Sequence, residues 1–422
     1  MSCNQKTEEQ NWRAVGDYNL RRVQITTNNN QKVDIKSNIT NMTIFEDLFG
    51  VFMSAQLTFT DAAGYIDKLP ISGNEQVIIE LQTPGTETAK TYTFYIYLMG
   101  GQDVVGGDQK QEATLHLCSL EMLANPLIRI SKSVKGTQSE LAQVVFGENF
   151  SDLGKKPMYA EETLTEIKMN IPSWTPMETL CWLASNSVSK ATNSPSYVFF
   201  ENVNGYYFTS IEKLKRSDAK FDYYAEVNHN DPTDLEQNVR KVLGMKKDKN
   251  TNILNAIQSG SFGSKTLYHD PITKKTTEVK YENDVEPTLA ATTSVLPSVL
   301  KGLSTGSSQY TTIRPVNAEL FNTGEKSTSS TTADWEGRRK AYINQMISNR
   351  VVINVTGNTL IDVGETVNLY VKDQSGDGWN QSVSGKYLVS AISHNIGIKG
   401  HYMALELITD GSNKVSGGIQ SS

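Results

Sequence analysis

Between Glu112 and Cys118 the chain alternates, with Ala113, Leu115 and Leu117 apolar and Thr114 and His116 polar. A period of two sends successive side chains to opposite faces, and a strand with one wet face satisfies that pattern. Similar β-rich segments occur at Val51–Thr60, Gln76–Gln82 and Tyr92–Leu98. Gly73-Asn74, Pro84-Gly85 and the stretch Gly100–Gly107 supply turn chemistry between them. The region from Leu20 to Ser119 therefore reads as one antiparallel barrel or sandwich.

The texture changes near Leu120. Thr137 with Glu140, and Thr175 with Glu178, are capping boxes, in which hydroxyl and carboxylate satisfy amide donors left over at a helix start. The second has Pro176 at the first helical position, where a missing N–H costs nothing. It predicts a helix to about Lys190 with Met177, Leu180, Cys181, Ala184 and Val188 on one face. Tyr197–Phe200 and Tyr206–Ser210 flank Asn204-Gly205, the clearest short hairpin signal in the chain. This middle stretch reads as a small α/β unit.

Phe221–Thr233 reads as an acidic, polar link, and a strand pair is expected from near Ile253. Glu286–Thr332 is rich in Ser and Thr and lacks periodicity, as a peripheral excursion would. Asp334 is placed to cap a helix reaching about Ser348. Four β segments follow at Val351–Thr356, Thr366–Val371, Lys386–Ser393 and Tyr402–Thr409. A chain of 422 residues exceeds what one core accommodates. The order is thus β-domain, α/β unit, β-domain, a mainly β member of the α+β class.

The net charge of −6 argues against a groove that grips nucleic acid by neutralising phosphates. Cys3, Cys118 and Cys181 are odd in number and unpaired in sequence, so neither a disulfide framework nor a zinc site is expected. Cys118 and Cys181 read as small buried hydrophobes of a protein made in a reducing cytosol. The polar N-terminus carries no signal-peptide pattern, and no apolar run is long enough to cross a bilayer. No membrane anchoring is expected.

No residue set points to catalysis, a cofactor or a metal. His269-Asp270 lacks a nucleophile elbow, and Gly260–Thr266 lacks the Gly-Lys adjacency of a phosphate loop. His394 and His401 lie on strands that could pair and read as a polar cross-strand pair, since two histidines without a third ligand hold zinc poorly. Glu46-Asp47 and Glu161-Glu162 read as solvated charges, and Trp174 as an apolar staple before its helix.

Several segments, in order, resemble the central baseplate hub of T-even-type contractile-tailed phages, a family with cousins among late-control proteins and type VI secretion spike hubs. The first block is Ile39–Ile44, Gln56–Phe59 and Gly73–Ile78. The second is Ile171–Thr175 with its helix and the aromatic hairpin Tyr197–Phe208. The third is Gly357–Leu369, Gly385–His394 and Tyr402–Leu405.

The resemblance implies two tube-type antiparallel β-barrels separated by the α/β unit. The corresponding divisions are an N-terminal arm (1–13), a first barrel (14–122), a middle unit (123–235), and a discontinuous second barrel (236–284 and 334–411). A Ser/Thr-rich insertion (285–333) and a flexible tail (412–422) complete the chain. It further implies a structural, non-enzymatic virion protein assembled in the host cytoplasm. Three copies would form a pseudo-hexameric ring, with a spike protein below and tail-tube or tube-initiator proteins above. Other baseplate proteins would lie at the periphery, and genomic DNA would pass without specific binding. The competing class is a cell-wall-degrading or carbohydrate-binding baseplate component. A type VI-like spike fragment would need a triple β-helix repeat, which this sequence does not display.

Overall fold

The computed structural model describes residues 15–61, 64, 71, 73, 75–83, 86, 88–104, 111–225, 235–249, 253–258, 262–271, 274–282, 311–315, 328–373 and 378–411. The arm at 1–13, the tail at 412–422 and most of the Ser/Thr-rich stretch lie outside these residues. The fold is mainly β, as the alternation predicts.

The first half contributes seven strands: β1 (Asn19–Thr26), β2 (Lys32–Asp34), β3 (Ile39–Asp47), β4 (Ser54–Asp61), β5 (Gln76–Gln82), β6 (Lys90–Val104) and β7 (Gln111–Cys118). They pair antiparallel in the spatial order β3-β4-β7-β6-β5-β1-β2. Their inward side chains, among them Val23, Met42, Leu57, Ile79, Phe94 and Leu115, are sealed from water. Each such apolar side chain contributes roughly 1.5–3 kcal/mol when taken from water.

The middle stretch holds β8 (Ile130–Thr137), helix α1 (Gln138–Phe150), β9 (Met158–Ala160), β10 (Glu166–Trp174), helix α2 (Pro176–Ser185), β11 (Tyr197–Asn202), β12 (Gly205–Ser210) and the short helix α3 (Ile211–Lys215). Both capping boxes form, with Glu140 N–H donating to Thr137 Oγ1 and Glu178 N–H to Thr175 Oγ1. Helix α2 stops at Ser185, five residues before the expected end. The side chains of Asn186 and Ser187 donate back to the carbonyls of Trp182 and Leu183 and close the helix there. Its buried face is Met177, Leu180, Leu183 and Ala184. Cys181 is exposed, a correction to its reading as a buried hydrophobe. Trp174 packs on Trp182, ring centroids 5.9 Å apart.

The remaining strands are β13 (Ala219–Ala225), β14 (Val242–Lys249), β15 (Gly263–Asp270), β16 (Lys275–Glu282), β17 (Thr311–Pro315), β18 (Asn349–Thr356), β19 (Thr366–Val371), β20 (Gly385–Gly397) and β21 (Gly400–Ile408). Strand β13 replaces the expected link at Phe221. Phe221 and Tyr223 face a core while Asp222 and Tyr224 face outward, and that alternation outweighs the acidic composition nearby. Ile253–Gln258 is a helical turn rather than the start of a strand pair, which begins at Gly263. Helix α4 runs Thr328–Ser348, so Asp334 lies inside it rather than at its cap. Cap-forming residues are tolerated within a helix, and propensity alone did not locate the true start. Strands β15, β16 and β17 form a separate sheet.

The two β halves share one 13-stranded sheet, and the shared element is β20. Its first part pairs with β19 (Leu388 opposite Thr366) and its last part with β3 (Ala391 to Gly397 opposite Asp47 to Asn41). Between them the register against β21 shifts at Ser390, whose carbonyl accepts from Leu48 N–H at 2.7 Å. A bulge re-aims a strand, and here it lets one strand serve two partners on the same edge. The second half comes round through β13-β19-β20-β21-β18-β14 to an isolated bridge between Tyr224 and Lys241. In the first half, Gly16 C=O accepts from His401 N–H. Among the described residues neither circuit is completed by a strand ladder. The pairing β13–β19 is parallel, the others in this sheet antiparallel.

The hairpin forms as its sequence predicts, with Val203-Asn204 as its two-residue turn and Gly205, paired with Asn202, opening β12. Gly205 has φ +153°, and a Cβ there would stand 2.5 Å from the Pro157 carbonyl oxygen. In urea unfolding, Gly205→Val is expected to cost clearly more than Thr175→Ala, which removes a cap hydroxyl worth about 1 kcal/mol. Equal midpoints for the two variants would contradict this packing.

Candidate functional site

Charge is buried where the three apolar cores meet, and these seams are the most unusual chemistry in the molecule. The first lies between the two β halves. Lys90 of β6 pairs with Asp362, which also accepts from Asn204 Nδ2 at 2.9 Å. Thr83 and Thr359 exchange hydrogen bonds beside them, Oγ1 to Oγ1 at 2.9 Å. Glu46 of β3 points into the same seam, only 1% exposed, and neither carboxylate oxygen has a hydrogen-bond partner. Burial pushes its pKa up to about 8, against the opposing pull of Lys90.

His394 and His401 meet in this seam as a cross-strand pair, Nδ1 to Nε2 at 3.1 Å, both fully buried. Burial holds both imidazoles below their ordinary range, His401 down to about 3. They stay neutral and hydrogen-bond to one another. The His401 ring occupies the space a Cβ at Gly357 would need, within 2.1 Å. Gly357 is thereby tied to its sequence.

The second seam joins the first half to the middle unit. Glu201 of β11 accepts from Ser119 Oγ at 2.6 Å and Met53 N–H at 2.9 Å, and pairs with Lys156. The third joins the middle unit to the second half. Lys215 is sealed from water between Asp410 (2.7 Å) and Glu212 (2.9 Å), over the ring of Tyr342. Tyr342 donates to Glu212 at 2.9 Å, and Arg339 donates to the Pro195 carbonyl at 2.6 Å. Helix α4 thus straps the middle unit to the second half.

Sequence reasoning misplaced two of these groups. Glu46 and Glu161, read as solvated, are buried; their neighbours Asp47 and Glu162 are exposed. Glu161 accepts from Ser189, Thr209 and Ser210 at 2.6–3.1 Å. Strand phase could have shown the first, since Glu46 shares its face with Met42 and Ile44. His269 hydrogen-bonds Thr276 across an exposed hairpin, and Gly263–Thr266 lies on β15 rather than in a phosphate loop. Among the described residues no cluster of three or more His, Cys, Asp or Glu could hold a metal ion, and no helix is long and apolar enough to cross a membrane. The seams orient and lock the cores against one another.

The fold is similar to a tail protein from Neisseria meningitidis MC58, with a TM-score of 0.58 and 11% identity over 93% of this chain and 97% of that one. It is likewise similar to the 43 kDa tail protein of prophage MuSo2 from Shewanella oneidensis, with a TM-score of 0.55 and 11% identity over 92% and 98%. In sequence, the chain is 23% identical over 396 residues to gp334 of Vibrio phage KVP40, described as a probable baseplate hub protein, covering 90% of this chain and 92% of that one. No known family profile matches. The resemblance to baseplate hub proteins therefore extends over nearly the whole chain.

The titrations of the first seam have opposite signs. The folded-state pKa of Glu46 is raised, so its contribution is fully present below about 4.5 and is lost as pH rises through about 8. Those of the two histidines are depressed, so theirs is present above about 6.5 and lost as pH falls toward 3. Glu46→Gln should match wild type near pH 4.5 and exceed it by on the order of 2–4 kcal/mol at pH 8.5 in urea unfolding. A difference independent of pH would mean that Glu46 is not held neutral.

Proposed function

We propose that this chain is the central hub of a contractile-tail baseplate. It is read as a structural virion protein that assembles in the host cytoplasm as a homotrimer. Each copy gives two tube-type barrel domains, one from β1 to β7 and one from β13, β14 and β18 to β21, flanking the middle unit that runs from β8 to α3, while β15 and β16, expected in the second barrel, stand in their own sheet. Three copies then offer six similar units, which matches a sixfold tail tube above to a threefold spike below. Genomic DNA passes through the ring without specific binding, and peripheral baseplate proteins attach outside.

The observation that carries the reading is the shared strand β20. It fixes two arrays of six principal strands side by side in one chain, held by a backbone ladder rather than a flexible linker. A one-residue slip there would turn every side chain to the wrong face, so the spacing of the two arrays is rigid. A symmetry adaptor requires such rigidity. The locked seams serve the same end, because removing one partner of a buried ion pair typically costs about 3–5 kcal/mol.

Closed cyclic assembly repeats one heterologous contact and stops at a fixed count. Light scattering at low micromolar concentration should give three times the chain mass, unchanged in 1 M salt, as expected of obligate contacts above roughly 2,000 Å². A monomer across that range would remove the hub reading.

A further inference from the structure

On the outward face of the second half, three aromatic rings stand together. Tyr224 of β13 and Tyr370 of β19 are register partners, and their rings stack 5.2 Å apart and 14° from parallel. Trp379 leans on both, 6.0 Å from Tyr224 and 5.4 Å from Tyr370. Main-chain bonds fix it there. It bridges Lys372 across a hairpin, with Asp373 N–H donating to the Gly378 carbonyl and Asn380 N–H to that of Val371. Trp379 nevertheless remains 42% exposed, and among the described residues no other tryptophan is as open.

Two stacked tyrosines already supply the packing that paired strands gain from aromatic neighbours. The third ring adds an apolar face that is held rigid and left in water. Rigidity removes an ordering cost that a ligand would otherwise meet. The surroundings are polar and of mixed sign. Two residues along the same face, roughly 7 Å away, Asn368 Nδ2 donates to Asp222 Oδ1 at 2.7 Å. Arg240 approaches the same carboxylate at 3.9 Å. Lys372, Asp373 and Gln381 are exposed beside Trp379 in the chain or across its hairpin.

An apolar plate rimmed by hydrogen-bonding groups suits a ligand that is apolar on one face and polar at its edge. A pyranose with equatorial substituents is such a ligand. Its axial C–H groups gather on one face and meet the electron-rich face of an aromatic ring, while its hydroxyls point outward in the ring plane. A β-1,4 linkage keeps successive rings in one ribbon, which can run along the strands. Nucleic acid finds no cationic track here, since Asp222 and Asp373 offset Arg240 and Lys372.

We propose that Tyr224, Tyr370 and Trp379 form a binding platform for a β-1,4-linked glycan of gluco-configured pyranoses. Trp379 is the stacking plate, and Asp222 with Asn368 receives hydroxyls about one ring away. The platform binds without cleaving. It does not rest on the hub reading, and the two fail separately.

The test titrates chitotetraose, cellotetraose and the α-1,4-linked maltotetraose into the full chain, by calorimetry and by saturation-transfer NMR, alongside light scattering. Both β-linked probes should bind, with transfer strongest at the axial ring protons, and maltotetraose at least about tenfold more weakly. Trp379→Ala should weaken chitotetraose binding by about tenfold or more, and Trp379→Phe should recover most of it. Phe49→Ala, which removes an exposed ring of the first half, should change nothing. Failure of both β-linked probes to bind at millimolar concentration would overturn the platform. Equal binding of maltotetraose, or binding indifferent to Trp379→Ala, would do the same. A fall in particle mass on Trp379→Ala would show the rings to be a contact between copies instead. If that variant does not fold, the pattern of axial-proton transfer to wild type decides the matter. A monomeric wild type that binds chitotetraose would remove the hub reading and leave the platform standing.

Discussion

Everything in this fold depends on the hydrogen-bonding demand of one strand. Each amide and carbonyl of β20 must find a partner, and no single neighbour spans its 13 residues on the edge opposite β21. β19 serves the first part and β3 the last, with the irregularity at Ser390 between them. Two apolar cores are thereby locked in register by main-chain bonds. Ile396 of the second half belongs to the core of the first, and Leu48 of the first to that of the second.

The buried charges act on a different level. Lys90 with Asp362 and Lys215 with Asp410 each bridge two cores, and Glu201, paired with Lys156 of its own unit, reaches the first half by accepting from Ser119 and Met53. Hydrophobic replacements of similar shape could be as stable, so net stability is weak ground for such pairs. What they supply is a penalty on any other arrangement, since a shifted core would leave an ion unpaired. Glu46 is the exception, since burial outweighs the pull of Lys90 and keeps its carboxyl neutral below about pH 8.

Local physics was legible in the sequence. Both capping boxes, the Asn204-Gly205 hairpin signal and the alternation of β4 and β7 are short-range patterns whose partners lie within a few residues. The His394–His401 pair was also legible, because adjacent strands bring such residues together. What escaped depends on distant context. Nothing near Ser390 marks a change of partner, since β3 lies at the far end of the chain. Cys181 sits in an apolar stripe that the middle core does not cover. Phe221 and Tyr223 alternate as a strand should, yet composition around them masked it. The seams were unreadable because each joins groups from different cores.

The pairing of Thr43 with Asn395 spans 352 positions. While the chain emerges from a ribosome, β3 can bond to β4 at once, but its other edge stays bare until nearly the whole polypeptide exists. At about 5–20 residues per second that interval is on the order of 20–70 seconds. An open β-edge is an invitation to wrong partners, including identical edges on nascent neighbours of one polysome. Natural selection on such a chain therefore acts on its birth as well as on its finished shape, and favours whatever keeps a half-made sheet solitary until its last strands arrive.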